Sequence, residues 1–188
     1  MSRFGFVACV AALVICGPAV YSAIGKEFNR VEEGLRESLV KVAFLYNFAR
    51  FTDWPATVFQ EPVTPIRFCV LGDDPFGAPF DAIAAKRIRG RSITVERLAS
   101  TKDAARCHVL FVSRSENRRL AQILASLRGL PILTVADMAN FAKSGGIINL
   151  KTVNSKIRFE VNLEAARLVG LRFSSRFLNL ATIVSRDR

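Results

Sequence analysis

The sequence predicts a single α/β domain: a mostly parallel central sheet with helices on both faces, then a C-terminal β-hairpin followed by two helices. Three observations predict it. Apolar runs of strand length alternate with helical patterns between residues 66 and 145. One of those runs, 107–112, is apolar nearly throughout, as a strand buried on both faces must be. After residue 146 the pattern changes to the in-out alternation of a hairpin. With 188 residues, 51% of them hydrophobic and 23% charged, the chain can bury one core.

The first residues stand apart from that domain. Arg3 supplies a small positive region, residues 4–20 are almost unbroken apolar sequence carrying Gly17 and Pro18, and Tyr21-Ser22-Ala23 ends in small residues. This is the form of a secretory signal. Residues 1–23 are expected to be a signal peptide cut after Ala23, leaving 24–188 as the domain. The rival reading is a retained anchor, because the run is only slightly short of the ~20 apolar residues that span a bilayer. Cys16 follows the bulky Ile15, where a lipobox needs Gly or Ala, so lipidation is disfavoured.

The domain opens with a helix whose apolar face is Leu35, Leu39, Val42, Tyr46 and Ala49, thickened by Phe44, Phe48 and Phe51. Trp54-Pro55 ends it. Residues 66–71 read as a strand, 78–85 as a short helix, 92–98 as an alternating strand and 107–112 as a central one. Ser113 and Glu116 have the spacing of a capping box before a helix with apolar positions Leu120, Ile123, Leu124 and Leu127, stopped by Gly129 and Pro131. A strand over 131–135 follows, then a short helix from Asp137 to Gly145-Gly146. Residues 146–151 and 156–161 flank Asn154-Ser155 as hairpin arms, with Ile157, Phe159 and Val161 on the core side and Lys156, Arg158 and Glu160 on the wet side. Asn162 and Ser174 cap two closing helices, 163–169 and 175–184, the last with Phe177, Leu180, Ala181 and Val184 in one stripe.

Chemistry is sparse. The single histidine, His108, lies inside a buried strand, which excludes most metal sites and histidine triads and favours a hydrogen-bonded core residue over a general base. The loop Gly72-Asp73-Asp74-Pro75-Phe76-Gly77 sits where α/β sheets collect ligands. It has neither a third acidic ligand nor the glycine spacing of a nucleotide fingerprint, so turn chemistry is the better account. No catalytic residue, metal or cofactor is expected.

After loss of the leader two cysteines remain, Cys69 and Cys107. In an oxidising compartment such a pair is read first as a disulfide, against two isolated buried thiols. A crosslink over that loop is worth roughly 4 kcal/mol in the chain-entropy account. The formal charge of +11 would suggest nucleic acid in a cytosolic protein, but export, and basic residues scattered without stacking aromatics, argue against that partner. The densest cluster, Lys86 to Arg91, reads as a solvated loop, with an acidic partner or phosphate headgroups as the runner-up.

The segments 41–48 (KVAFLYNF), 51–55 (FTDWP), 71–77 (LGDDPFG), 107–113 (CHVLFVS), 132–137 (ILTVAD), 145–150 (GGIINL) and 157–166 (IRFEVNLEAA) together resemble the YfiR-like periplasmic proteins, from about Leu39 to the C-terminus. The resemblance implies a periplasmic, non-enzymatic regulator that tends to form homodimers. Its implied partner is the periplasmic sensor region of an inner-membrane diguanylate cyclase, held inactive so that less cyclic di-GMP is made and biofilm is disfavoured. Release by an outer-membrane OmpA-like lipoprotein belongs to the same scheme. Cys69 and Cys107 match the family's disulfide positions; a second pair found in some relatives is missing. Arg158, Arg172 and Arg176 are the candidate contacts for a polar ligand or partner, since arginine suits carboxylates and phosphates. The alternative is a small-ligand sensor acting on another membrane signalling protein.

Overall fold

Apolar residues at two periods decide how this chain folds: every third or fourth position along its long helix, and every second position along its strands. The computed structural model describes residues 18–154 and 156–185, with side chains from residue 27. Most of the expected leader therefore lies outside the described residues. In order the elements are α1 (Pro18–Arg50), β1 (Thr52–Asp53), β2 (Ile66–Leu71), α2 (Ala78–Ala82), β3 (Arg87–Ile88), β4 (Arg91–Leu98), β5 (Val109–Val112) and α3 (Leu120–Ser126). There follow β6 (Leu133–Ala136), β7 (Ile148–Val153), β8 (Lys156–Asn162), α4 (Leu163–Leu168), β9 (Arg172–Phe173), α5 (Ser175–Leu178) and β10 (Thr182–Val184). The chain divides into two units, Met1–Glu37 and Ser38–Arg188. In the first, the helical residues 27–37 are exposed throughout, Phe28, Val31 and Leu35 included. No helix among the described residues is long and apolar enough to cross a membrane.

The second unit is built on an eight-stranded sheet of order β10-β8-β7-β6-β5-β2-β4-β3. Strands β4, β2, β5, β6 and β7 run parallel; β3 is antiparallel to β4 and β8 to β7, and β10 lies parallel to β8. The expected mostly parallel sheet with a C-terminal hairpin is what forms. Alternate side chains of β2 divide the core. Phe68 and Val70 join Val42, Leu45 and Phe48 of α1 on one face, whereas Cys69 and Leu71 join Leu120 and Ile123 of α3 on the other. Along the α1 face an aromatic chain ties sheet to helices: Phe48 to Phe159 (5.0 Å), Phe159 to Phe177 (5.1 Å) and Phe177 to Phe173 (5.0 Å).

Several local expectations are corrected. Leu35 and Leu39 of the predicted apolar face are exposed, and burial along α1 begins at Lys41 and Val42. Residues 175–184 are not one helix: α5 is a single turn, and Thr182–Val184 pairs with Glu160–Asn162 as β10, so tertiary strand pairing overrides a helical spacing. Of the predicted stripe only Phe177 is buried, and Leu180 is 72% exposed. Ser113 makes no side-chain cap; the chain enters through a 3-10 segment over Arg114–Arg119, and Glu116 turns to Arg119 instead. Between Asp137 and Gly146 there are turns rather than a helix. They need glycine at 146, where a Cβ would lie 2.2 Å from the ring of the fully buried Phe141.

Candidate functional site

In a doubly wound sheet the ligand crevice lies beyond the carboxyl ends of the strands, where the winding direction reverses. The chain goes from β2 outward to β4, then returns to β5 on the other side, so the reversal falls between β2 and β5. The segments that leave those strands are Gly72-Asp73-Asp74 and Ser113-Arg114-Ser115-Glu116. Gly72 has φ +85°, and a Cβ there would stand 2.4 Å from Ser115 Oγ, so the two loops are in direct contact. The Asp73 amide donates to Ser115 Oγ at 3.0 Å.

Most carboxylates around this crevice are already committed. Arg97 is held by Asp74 (2.7 Å) and Asp81 (2.7 Å), and the hydrogen bond it donates to Asp81 is the largest influence raising its pKa. Glu116, buried, binds Arg119 at 2.6 Å. Asp137, at the end of β6, is shared by Lys41 of α1 and by Arg114 (3.2 Å). Ser38 of α1 adds a bond from its hydroxyl to the Pro75 carbonyl at 2.9 Å. Thus Ser38 and Lys41 of α1 are tied to the loops that follow β2 and β6, and these acids act as structural partners. No group of three or more His, Cys, Asp or Glu suited to a metal ion occurs among the described residues.

His108 stands at the opposite ends of the same strands. Its Nδ1 accepts the Arg67 amide at 2.9 Å, and its ring stacks on Phe59 at 4.8 Å. Burial, then the positive charges of Arg67 and Arg91, lower its pKa to about 4. The imidazole is neutral near pH 7, its proton is on Nε2, and its basic nitrogen is occupied by backbone. That is the geometry of a core histidine, as the strand pattern implied.

Cys69 in β2 and Cys107, just before β5, are joined, with their Cα atoms 6.1 Å apart. Both are buried against α3. Arg158 on β8, Arg172 on β9 and Arg176 on α5 are exposed, and among the described residues no hydrogen bond or ion pair links them to one another. The expected wet face of the hairpin arm, Lys156, Arg158 and Glu160, is only partly real. Glu160, expected there, is buried between Lys151 (2.6 Å) and the Asn149 amide (3.3 Å).

Sequence reasoning missed a cavity of about 450 Å³ between α3 and α4. Leu124, Ile132, Ile147 and Leu168 supply apolar wall, with Arg128 and Glu164 among the polar lining. The volume lies within the range of small-molecule sites. Its only sequence signal was surplus apolar residues on two short helices, Leu124 and Leu168, the latter 76% exposed.

The family model for YfiR/HmsC-like proteins matches residues 38–182. The chain belongs to the YfiR/HmsC-like family. In this family member the match begins where the second compact unit begins, at Ser38, and takes in the buried part of α1 and all of the sheet through the first residue of β10. A solved structure with partial likeness is that of the ABC domain in complex with L-Trp from Streptococcus pneumonia, at 12% identity and a TM-score of 0.49. The match covers 63% of this chain and 55% of that one, so the chain spans about half the length of that structure. A likeness at this level says nothing about function.

Proposed function

We propose that this YfiR/HmsC-like protein is a periplasmic regulator that binds the periplasmic sensor region of an inner-membrane diguanylate cyclase and holds it inactive, lowering cyclic di-GMP and biofilm formation. The observation that carries the reading is family membership over residues 38–182, most of the second compact unit. Two structural features support it. The acids at the switch point are mostly consumed in ion pairs, and the basic nitrogen of the one histidine is consumed by backbone, which suits a binding protein rather than an enzyme. The buried Cys69–Cys107 bond suits an exported protein, consistent with removal of residues 1–23. Within this proposal the active form is a homodimer, Arg158, Arg172 and Arg176 contribute partner contacts, and an OmpA-like outer-membrane lipoprotein releases the inhibition. Cyclase assays on membranes, with and without the purified protein, test the reading. Undiminished cyclic di-GMP synthesis at saturating protein would sink it.

The cavity between α3 and α4 favours a second reading, a small-ligand sensor acting on another membrane signalling protein. A ligand that fills it raises the melting temperature in proportion to its occupancy. Leu124→Trp, which fills the cavity, should abolish that rise.

A further inference from the structure

One corner of the sheet carries positive charge almost alone. The β3–β4 hairpin turns through Arg89 (φ 51°) and Gly90 (φ 83°), consecutive left-handed residues that make a two-residue turn. This turn brings Arg89 onto the end of α1 and the β1–β9 pair: its guanidinium donates to Asp53 Oδ1 at 2.7 Å and to the Arg50 carbonyl at 3.4 Å. Across β1–β9, Asp53 is in register with Arg172. The Tyr46 hydroxyl donates to the Arg87 carbonyl at 2.9 Å, and Lys86 Nζ lies 5.2 Å from the centre of the Tyr46 ring. Arg50, Lys86, Arg87, Arg89 and Arg172 are therefore neighbours, and all five are exposed. Asp53 pairs with Arg89, and among the described residues the other four cations form no ion pair. Arg97, Arg106, Arg114 and Arg119, by contrast, are each paired with carboxylates.

Unpaired like charges repel one another, so their grouping suits an anionic counterpart. A protein interface would place an apolar or aromatic anchor at the centre of such a patch. Here the half-buried Tyr46 lies beneath Lys86 and the half-buried Phe51 beneath Arg50, and the exposed groups are the charges themselves. Nor do the cations converge on one pocket, because they are spread over α1, the β3–β4 hairpin and β9. A shallow array of cations fits a surface of many equivalent anions. We propose that this corner docks onto a bilayer rich in anionic phospholipid, through headgroup phosphates of the phosphatidylglycerol type. This proposal does not require the cyclase reading, although Arg172 figures in both.

The test is co-sedimentation of the protein with phosphatidylethanolamine vesicles containing phosphatidylglycerol, and with phosphatidylcholine vesicles alone. Binding to the first only, weakening as salt rises, is expected. Each cation near such a surface is worth about fivefold in partition, so Lys86→Glu with Arg87→Glu, which removes two cations and adds two anions, should weaken binding by well over about 25-fold. Arg118→Glu with Arg128→Glu removes the same net charge from the α3 region and should weaken it by less than about threefold. If the first variant fails to fold, Arg50→Gln with Arg172→Gln removes two of the same cations and should cost roughly 25-fold. Equal losses in the patch and α3 variants, binding to neutral vesicles, or no binding to the anionic ones would overturn the proposal. So would patch-dependent capture of a glutamate-rich peptide without vesicle binding, which would assign the corner to an acidic protein instead.

Discussion

Replacing Cys69 and Cys107 together by alanine removes a crosslink that spans 38 residues of sequence and ties β2 to the entry of β5. Closing a loop of that length restricts the unfolded chain by about 4 kcal/mol. Both sulfurs are buried in the cluster with Leu71, Leu110 and Ile123, so their loss adds a packing cost of about 1 kcal/mol. For a domain of this size each kcal/mol moves the melting temperature by about 2–4 °C, which gives a fall of about 10–20 °C. Thermal and urea unfolding of the chain from residue 24, oxidised wild type against the double variant, measures it. The urea slope should also rise, because the unfolded variant is less compact. A melting point within about 3 °C of wild type and an unchanged slope would refute the reasoning.

Other expectations follow from the same geometry. The folded pKa of His108, about 4, is below its unfolded value, so the folded state binds fewer protons; stability is intact above about pH 6.5 and falls as pH drops toward 4. Allowing for partial screening, the loss is about 2 kcal/mol, and urea titrations of wild type against His108→Asn between pH 7 and 4 should isolate it as a slope the variant lacks. Gly146→Ala forces a methyl group into the Phe141 ring and should cost about 2–3 kcal/mol by urea denaturation, whereas Gly34→Ala, with open space around it, should cost nothing measurable. Asp137→Asn removes the carboxylate that Lys41 and Arg114 share, and should destabilise by about 2 kcal/mol. Hydrogen exchange of the variant should show amides near residues 38–42 opening first, since they lose their clasp to the end of β6.

What was legible in the sequence was whatever a local pattern determines. Strands β2, β5 and β6 are short apolar runs bounded by turn residues, and nothing distant is needed to recognise them. Cysteine counting anticipated the bond between Cys69 and Cys107, because only two thiols remain once the leader is set aside. What failed depended on partners far away in the chain. Thr182–Val184 has an ambiguous spacing, and the free edge of β8 decides it in favour of a strand. Glu160 alternates as a solvent-facing residue but is drawn inside by Lys151 and Asn149 on the opposite arm of the hairpin. Ser113 and Glu116 have capping spacing, yet Arg119 competes for the carboxylate and Asp73 takes up the neighbouring Ser115. The cavity was invisible because its walls come from α3 and α4, some forty residues apart. The basic corner was half visible: Lys86 to Arg91 stood out as a run, but the helix end at Arg50 and the strand at Arg172 join it only through the fold.

The measurement that bears most directly on the proposed regulation is a titration of the purified protein against the isolated periplasmic region of a diguanylate cyclase from the same cell, read by calorimetry and by cyclase output in membranes. Saturable binding at micromolar concentration or tighter, with synthesis of cyclic di-GMP falling as the complex forms, is the expected result. Saturable binding to no such region, with cyclase output unchanged at any protein concentration, would contradict it.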